Sequence, residues 1–288
     1  VGIHQQSPRA SYQGMTDAAG LALIRLPAGH YTNSYVSHPD YVPYQTWGET
    51  ITVRDGRTTR LTVTLDPMPR ITGVVRDQAA KPVSQALITV IPGSSPKTKT
   101  DPNGRFDTTW RPQRHMTGGG SVGAYREHYL LVRHPERNLA ASVPITIDTN
   151  DVDVTLTDGL TLTGSILDQT GSAVAGAVVH VSIGTSNWWR RLDPQGSPTD
   201  HAGSYTMAAL PLDHTYVVEA LADGYSDQQI RDIAPAHPGQ TIRQHIILAS
   251  QPEVTGILLE YAGKPAFGAF AQILPSENRY SRYRHMPP

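Results

Sequence analysis

Apolar and polar residues alternate in short runs along much of this chain. Examples are Thr50-Ile51-Thr52-Val53-Arg54, Leu61-Thr62-Val63-Thr64-Leu65, Ala86-Leu87-Ile88-Thr89-Val90 and Ala177-Val178-Val179-His180-Val181-Ser182. Alternation of this kind marks strands buried on one face. A one-faced sheet must close against a second sheet, so the pattern predicts antiparallel sandwiches. No stretch carries the length and periodicity of a convincing helix.

The strands fall into a long repeat. Units open on a glycine between apolar residues, Ile71-Thr72-Gly73-Val74-Val75, Leu162-Thr163-Gly164-Ser165-Ile166 and Val254-Thr255-Gly256-Ile257-Leu258, with the glycines 91 and 92 residues apart. Units close on an alternating strand ending in Leu65, Leu156 and Leu248, again 91 and 92 apart. Between these markers stands a turn signature, Thr16-Asp17-Ala18-Ala19-Gly20, Thr100-Asp101-Pro102-Asn103-Gly104 and Thr199-Asp200-His201-Ala202-Gly203, whose spacing of 84 and 99 drifts as loop insertions would make it. A period this long is a small domain rather than a solenoid turn. The expected architecture is all-β: a tandem array of seven-stranded sandwiches strung as separate beads.

The phase of the repeat adds an expectation. It predicts a unit at 1–68 without its first strand, complete units at 69–158 and 159–250, and a partial unit of opening strands at 251–288. Two readings follow: the opening strands at one end complete the first unit of the next molecule, or the chain is a piece of a longer array. The first implicates Val254, Gly256, Leu258, Phe270, Ile273, Tyr280 and Tyr283 as an assembly interface. Prolines in Asp66-Pro67-Met68-Pro69 would stiffen the first junction.

Composition narrows the partners. The 288 residues carry 24 Lys and Arg against 25 Asp and Glu, which removes the electrostatic reason to expect nucleic acid as a general partner. No apolar run is long enough for a helical membrane span. There are no cysteines, hence no disulfide framework or thiolate chemistry. Abundant glycine (25) and proline (23) fit many short strands joined by tight turns.

Particular residues carry a resemblance. Residues 71–90 followed by Thr100-Asp101-Pro102-Asn103-Gly104-Arg105-Phe106 resemble the carboxypeptidase regulatory-like domain, a transthyretin-like sandwich. Residues 162–181 match more closely, with Thr199-Asp200-His201-Ala202-Gly203-Ser204-Tyr205, Leu210-Pro211 and Ala222-Asp223-Gly224-Tyr225; Leu26-Pro27-Ala28-Gly29-His30-Tyr31 fits the family's Leu-Pro-x-Gly-x-Tyr step. The second unit departs from the pattern between Thr109 and Ala124. The resemblance implies non-catalytic modules that accompany peptidases, adhesins, outer-membrane proteins and sensors.

A search for chemistry yields little. Gly119-Gly120-Ser121-Val122-Gly123 matches the nucleophile-elbow string, but that elbow needs a strand-to-helix turn in a parallel α/β sheet. The 12 histidines lack metal-site spacing and read as half-buried or exposed singles. Asp148, Asp151, Asp153, Glu127 and Glu136 read as solvated faces. Asp17, Asp101 and Asp200 with Gly20, Gly104 and Gly203 read as structural hairpin turns, ahead of a calcium loop using Asp101, Asn103 and Asp107. No catalytic residue, metal or cofactor is expected.

Two aromatic clusters remain. Trp188, Trp189, Arg190 and Arg191 stand in a predicted long loop, where an exposed ring could stack on a sugar or anchor a protein; the alternative is a loop folded over the sandwich edge. Residues 279–285 interleave basic and aromatic side chains, read as a solvated tail or interface strand. The expected function is a non-enzymatic structural, scaffold or adhesin-type array on or outside a bacterial cell: extracellular, surface or periplasmic. Its partners are copies of itself or flanking domains, with a glycan or surface protein possible. The alternative is a carbohydrate- or protein-binding accessory of a larger enzyme or sensor.

Overall fold

The computed structural model describes residues 2–5, 11–45, 50–93, 98–116, 122–185, 188–251, 256–260 and 263–268. The chain divides into two compact units, Val1–Ser250 and Gln251–Pro288. Among the described residues helix is confined to one 3-10 turn, Pro135–Arg137, and no helix is long and apolar enough to cross a membrane. The all-β class is as the alternation predicts.

The first stretch forms a single sheet from β1 (Gly2–Gln5), β2 (Ser11–Gln13), β3 (Gly29–His38), β4 (Tyr41–Gln45) and β5 (Thr50–Val53), ordered β2-β1-β3-β4 with β5 also on β3. Its core is thin. Among the residues before 69 whose burial is described, Tyr31 and Ser34 are the fully buried ones. The Tyr31 hydroxyl donates to the Pro27 carbonyl at 2.7 Å, and Tyr12 packs edge-on against its ring.

The next stretch builds two layers. Its strands are β6 (Arg70–Asp77), β7 (Leu87–Ile91), β8 (Thr98–Lys99), β9 (Arg105–Thr109), β10 (Arg114–Met116), β11 (Val122–Tyr125), β12 (His128–His134), β13 (Leu139–Ile145) and β14 (Asp151–Asp158). Seven pair in the order β8-β7-β12-β13-β14-β6-β9. The β13–β14 step, only two residue pairs long, carries the path from one layer to the other. Ile71, Val75, Phe106, Val154 and Leu156 of one layer meet Ile88, Val90, Leu130, Val132 and Ile145 of the other in a closed core. The irregular segment after Thr109 holds the small β10–β11 hairpin.

The third stretch repeats the plan with β15 (Leu160–Asp168), β16 (Val178–Thr185), β17 (Trp188–Arg191), β18 (Ser197–Pro198), β19 (Ser204–Leu210), β20 (Thr215–Leu221), β21 (Gln228–Ile233), β22 (Thr241–Arg243) and β23 (Ile246–Leu248). One layer is β19-β15 with β22 and β23; the other is β17-β16-β20-β21 with β18 on β16. As in the first stretch, a tyrosine hydroxyl ties back to a proline carbonyl, here Tyr216 to Pro211.

Two expectations need correction. The sandwiches are not wholly antiparallel, because closing strand β14 runs parallel to opening strand β6, and β22 and β23 run parallel to β15. A whole repeat separates these partners in sequence, so no hairpin turn dictates their direction. Nor are the second and third stretches separate beads. Leu130 and Val132 of β12 face their own core, while Leu131 and Ile91 join the core of the following stretch. The Arg133 guanidinium donates to the carbonyls of Ala208 and Ala209, each at 2.8 Å. Asn138, in the left-handed conformation, accepts from Ala209 N–H at 2.7 Å and donates to the Gly159 carbonyl at 2.9 Å. Ser142 and His214 complete the clasp with a 2.6 Å hydrogen bond.

The proline-rich junction is likewise held. Val42 N–H bonds to the Asp66 carbonyl, Met68 N–H to that of Asp40, and Trp110 N–H to that of Pro69. In the Gln251–Pro288 unit the described residues form a tight turn: Glu260 N–H bonds to the Lys264 carbonyl, Gly263 N–H to that of Glu260, and Ala266 N–H to that of Leu258.

Candidate functional site

The opening glycines mark the sharpest geometric constraint in the fold. A Cβ added to Gly73 would lie 1.9 Å from the Val152 carbonyl oxygen, and one on Gly164 would lie 1.8 Å from that of Gln244. Neither glycine has positive φ, so the backbone shape alone would accept any residue. Space is what excludes a side chain. On the opposite side an aromatic ring covers each glycine at 2.9 Å from that position, Phe106 in one case and Tyr205 in the other. The two period-setting markers, glycine and closing strand, are therefore the two sides of one contact.

The same parts stand unpaired elsewhere. Residues 61–65, which align with β14 and β22–β23, belong to no strand, and Leu61 is 51% exposed. The segment after the Asp17 turn aligns with β9 and β19; it too is in no strand, with Leu21 70% and Leu23 76% exposed. Among the described residues no atom lies within 4 Å of the Gly256 Cβ position, and Ile257 beside it is 81% exposed, with Leu258 and Leu259 exposed as well. Yet the turn after Gly256 is already made. Ala266 N–H to Leu258 O repeats Val83 N–H to Val75 O and Val174 N–H to Ile166 O. Of the predicted interface, Gly256 and Leu258 lie in a described segment that belongs to no strand, while Val254, Phe270, Ile273, Tyr280 and Tyr283 lie outside the described residues.

The tryptophan cluster corrects a third expectation. Trp188–Arg191 is strand β17, not a loop: it pairs antiparallel with β16 as that sheet's edge, Trp189 opposite Gly184 and Arg190 opposite Ile183. Consecutive strand residues point to opposite faces. Trp189 is 41% exposed, and Arg191 is ion-paired to Glu219 on β20.

Each aspartate turn uses its carboxylate in the same way. Asp17 accepts from Ala19 and Leu21 N–H, Asp101 from Asn103 and Arg105, and Asp200 from Ala202 and Ser204, all within 2.9 Å. Gly20, Gly104 and Gly203 follow at positive φ. Asp107, the third oxygen donor of the calcium reading, is instead paired with Arg70. Ser121 of the elbow string lies outside the described residues.

The histidines depart from expectation. His128, His180 and His214 are buried rather than half-buried or exposed. His128 Nε2 accepts the Gln113 N–H at 2.9 Å and its ring packs on Trp110; burial holds its pKa down to about 4. Burial also lowers the pKa of His214, opposed by the Asp213 carboxylate. Its ring stands edge-on to Tyr129, whose hydroxyl is pushed up to about 12 by burial and by Glu127. An open cleft of about 420 Å³ lies here, lined by Tyr129, Leu212, Asp213, His214, Ala234 and Pro235. Among the described residues no group of three metal-ligating side chains converges. Sequence reasoning missed this junction. Its only signal was the unbroken apolar run Tyr129-Leu130-Leu131-Val132, the mark of a strand buried on both faces.

The chain is similar to the shaft pilin SpaA from Lactobacillus rhamnosus GG (11% identity, 65% of this chain and 100% of that one, TM-score 0.27). It is also similar to a streptococcal ancillary pilin (13%, 85% and 82%, TM-score 0.25) and to GBS52, a minor pilin of Streptococcus agalactiae (12%, 65% and 98%, TM-score 0.26). Likeness of this degree carries nothing about what the chain does. No curated protein matches it. Residues 161–249 match the carboxypeptidase regulatory-like domain family, so the third repeat bears out the resemblance read from its sequence.

Proposed function

We propose that this chain is a non-enzymatic structural array of β-sandwich modules, a scaffold or adhesin-type element on or outside a bacterial cell. Its repeats are 1–68, 69–158, 159–250 and 251–288, and copies join head to tail by strand donation. The observation that carries this reading is the coexistence of an exposed segment at 256–260, followed by a made turn, with residues 61–65, which align with closing strands but belong to no strand. Unpaired backbone and exposed apolar side chains on an edge invite a partner strand. Head-to-tail donation does not close on itself, so it builds a filament. Electron microscopy of the purified chain, with intact mass on the same sample, tests this. Ordered filaments of a 31.3 kDa chain support it, and isolated short particles at every concentration oppose it.

A second reading rests on Trp189, a partly exposed ring on an edge strand beside two arginines. Such a surface suits the face of a sugar or a protein anchor. Quenching of tryptophan fluorescence by glycans, lost in Trp189→Ala, supports it; unchanged emission opposes it.

A further inference from the structure

We infer that the cleft lined by Tyr129, Leu212, Asp213, His214 and Pro235, where the second and third repeats meet, binds a primary ammonium group carried on a short apolar stem. The inference goes beyond both readings above and depends on neither.

The site arises from a local departure in the repeat. In the first repeat the step Leu26-Pro27-Ala28-Gly29-His30-Tyr31 ends in a tyrosine whose hydroxyl is tied to the Pro27 carbonyl. In the third, Leu210-Pro211-Leu212-Asp213-His214-Thr215-Tyr216 makes the same tie to the Pro211 carbonyl with one residue more between the partners. The tie holds both ends of the turn, so the extra residue is accommodated between them, and Asp213 and His214 stand in place of the single Gly29. Tyr129, on β12 of the second repeat, is edge-on to His214 with ring centroids 4.9 Å apart. Both repeats therefore contribute to the lining.

The polar groups of the cleft call for a positively charged donor. Asp213 is exposed, and among the described residues neither it nor Glu127 is in an ion pair. The charges acting on both Tyr129 and His214 are those of Asp213 and Glu127, so the local field is negative. His214 is 5% exposed and its Nε2 is bonded to Ser142. Its Nδ1, toward Gly184 of the same lining, completes no hydrogen bond among the described residues. Burial lowers the pKa of this ring, which stays neutral at pH 7 and keeps one nitrogen as an acceptor. A carboxylate and a neutral imidazole suit an ammonium, which offers three donors and no acceptor. Leu212, Ala234 and Pro235 give its stem an apolar surface, and the Tyr129 ring attracts a cation. An anion would meet like charge, and a neutral sugar would leave the field uncompensated. The volume of about 420 Å³ is that of a small-ligand site.

Nitrogen-15 spectra of the full chain, titrated with butylammonium chloride at fixed ionic strength, test this. Saturable shifts are expected at the amides of Gly184, Asp213, His214 and Thr215, with 1-butanol and butyrate binding at least about tenfold more weakly. Asp213→Asn, on an exposed turn, should weaken butylammonium by roughly threefold to tenfold. Thr215→Trp fills the cleft and should abolish the shifts. Nα-acetyl-lysine methylamide separates the sources of the ammonium. Binding equal to that of butylammonium assigns the cleft to lysine side chains of a polypeptide, and weaker binding assigns it to a free amine; either supports the inference. Butanol that binds as tightly as butylammonium makes the cleft an apolar slot and overturns it. So does the lack of any saturable shift below about 50 mM, or a set of shifts that survives both Asp213→Asn and Thr215→Trp.

Discussion

Replacing Gly164 with alanine is the most direct test of why the repeat keeps a glycine. The new methyl would sit 1.8 Å from the Gln244 carbonyl oxygen and 2.6 Å from its carbon, where carbon and oxygen ordinarily stay about 3.3 Å apart. Closing strand β22–β23 must therefore recede by about 1.5 Å. That displacement breaks the Gln244 N–H to Thr163 O bond and the Tyr205 hydroxyl bond to Gln244 O, both 2.8 Å. Two lost bonds that leave enclosed polar groups unsatisfied cost roughly 2–5 kcal/mol. Alanine's stiffer unfolded chain returns about 0.4–1 kcal/mol. The net expectation is a loss of about 3 kcal/mol, or roughly 6–12 °C in Tm if the clasped second and third repeats melt together. Calorimetry and urea unfolding followed by circular dichroism read this directly. A Tm within about 2 °C of the parent, against the size just worked, would refute the idea that carbonyl approach dictates the residue. Gly256→Ala is the internal control, and it should leave the melting of the unassembled chain unchanged.

Three further outcomes follow. Arg133→Met keeps the apolar stem but strands two carbonyls across the clasp; it should destabilise by about 2–4 kcal/mol and resolve one calorimetric transition into two. The folded pKa of His128 lies below its unfolded value near 6.5. Its contribution is therefore intact above that pH and is lost as pH falls toward 4, by about 3 kcal/mol, with His180 and His214 acting in the same direction. Urea midpoints that stay level between pH 7.5 and 4.5, or a slope that His128→Gln leaves unchanged, would contradict this assignment. Tyr216→Phe removes the tie to the Pro211 carbonyl inside the core and should cost about 1–2 kcal/mol in urea unfolding, without altering far-ultraviolet dichroism.

What could be read from the chain depended on how local each determinant is. The alternation at Ile88 to Val90 and at Val179 to Val181 reports a strand with one face in a core, because inward residues recur every second position. The aspartate turns were equally legible, since acceptor and donors lie within four residues of each other. The parallel pairing of β6 with β14 was not, because the partners are a whole repeat apart and a glycine does not name the carbonyl it makes room for. Trp188–Arg191 misled as a loop: two adjacent tryptophans and two arginines break the alternation, although the β16–β17 ladder holds them extended. The clasp was hidden for a related reason. Arg133, Asn138, Ala209 and His214 share no spacing or residue type, and they meet only because two sandwiches pack there.

That clasp bears on inheritance. Repeats that fold as independent beads can be duplicated, deleted or exchanged by recombination with little harm to their neighbours. Here the grip on Ala208 and Ala209 is made by residues encoded in the preceding repeat, and Leu131 and Ile91 of that repeat finish the core of the next. A crossover falling near Gly159 would give each daughter half of a matched surface. Residues 69–158 and 159–250 thus share one matched surface, and exchange of either alone is expected to uncover Ile91 and Leu131 and to strand the carbonyls of Ala208 and Ala209.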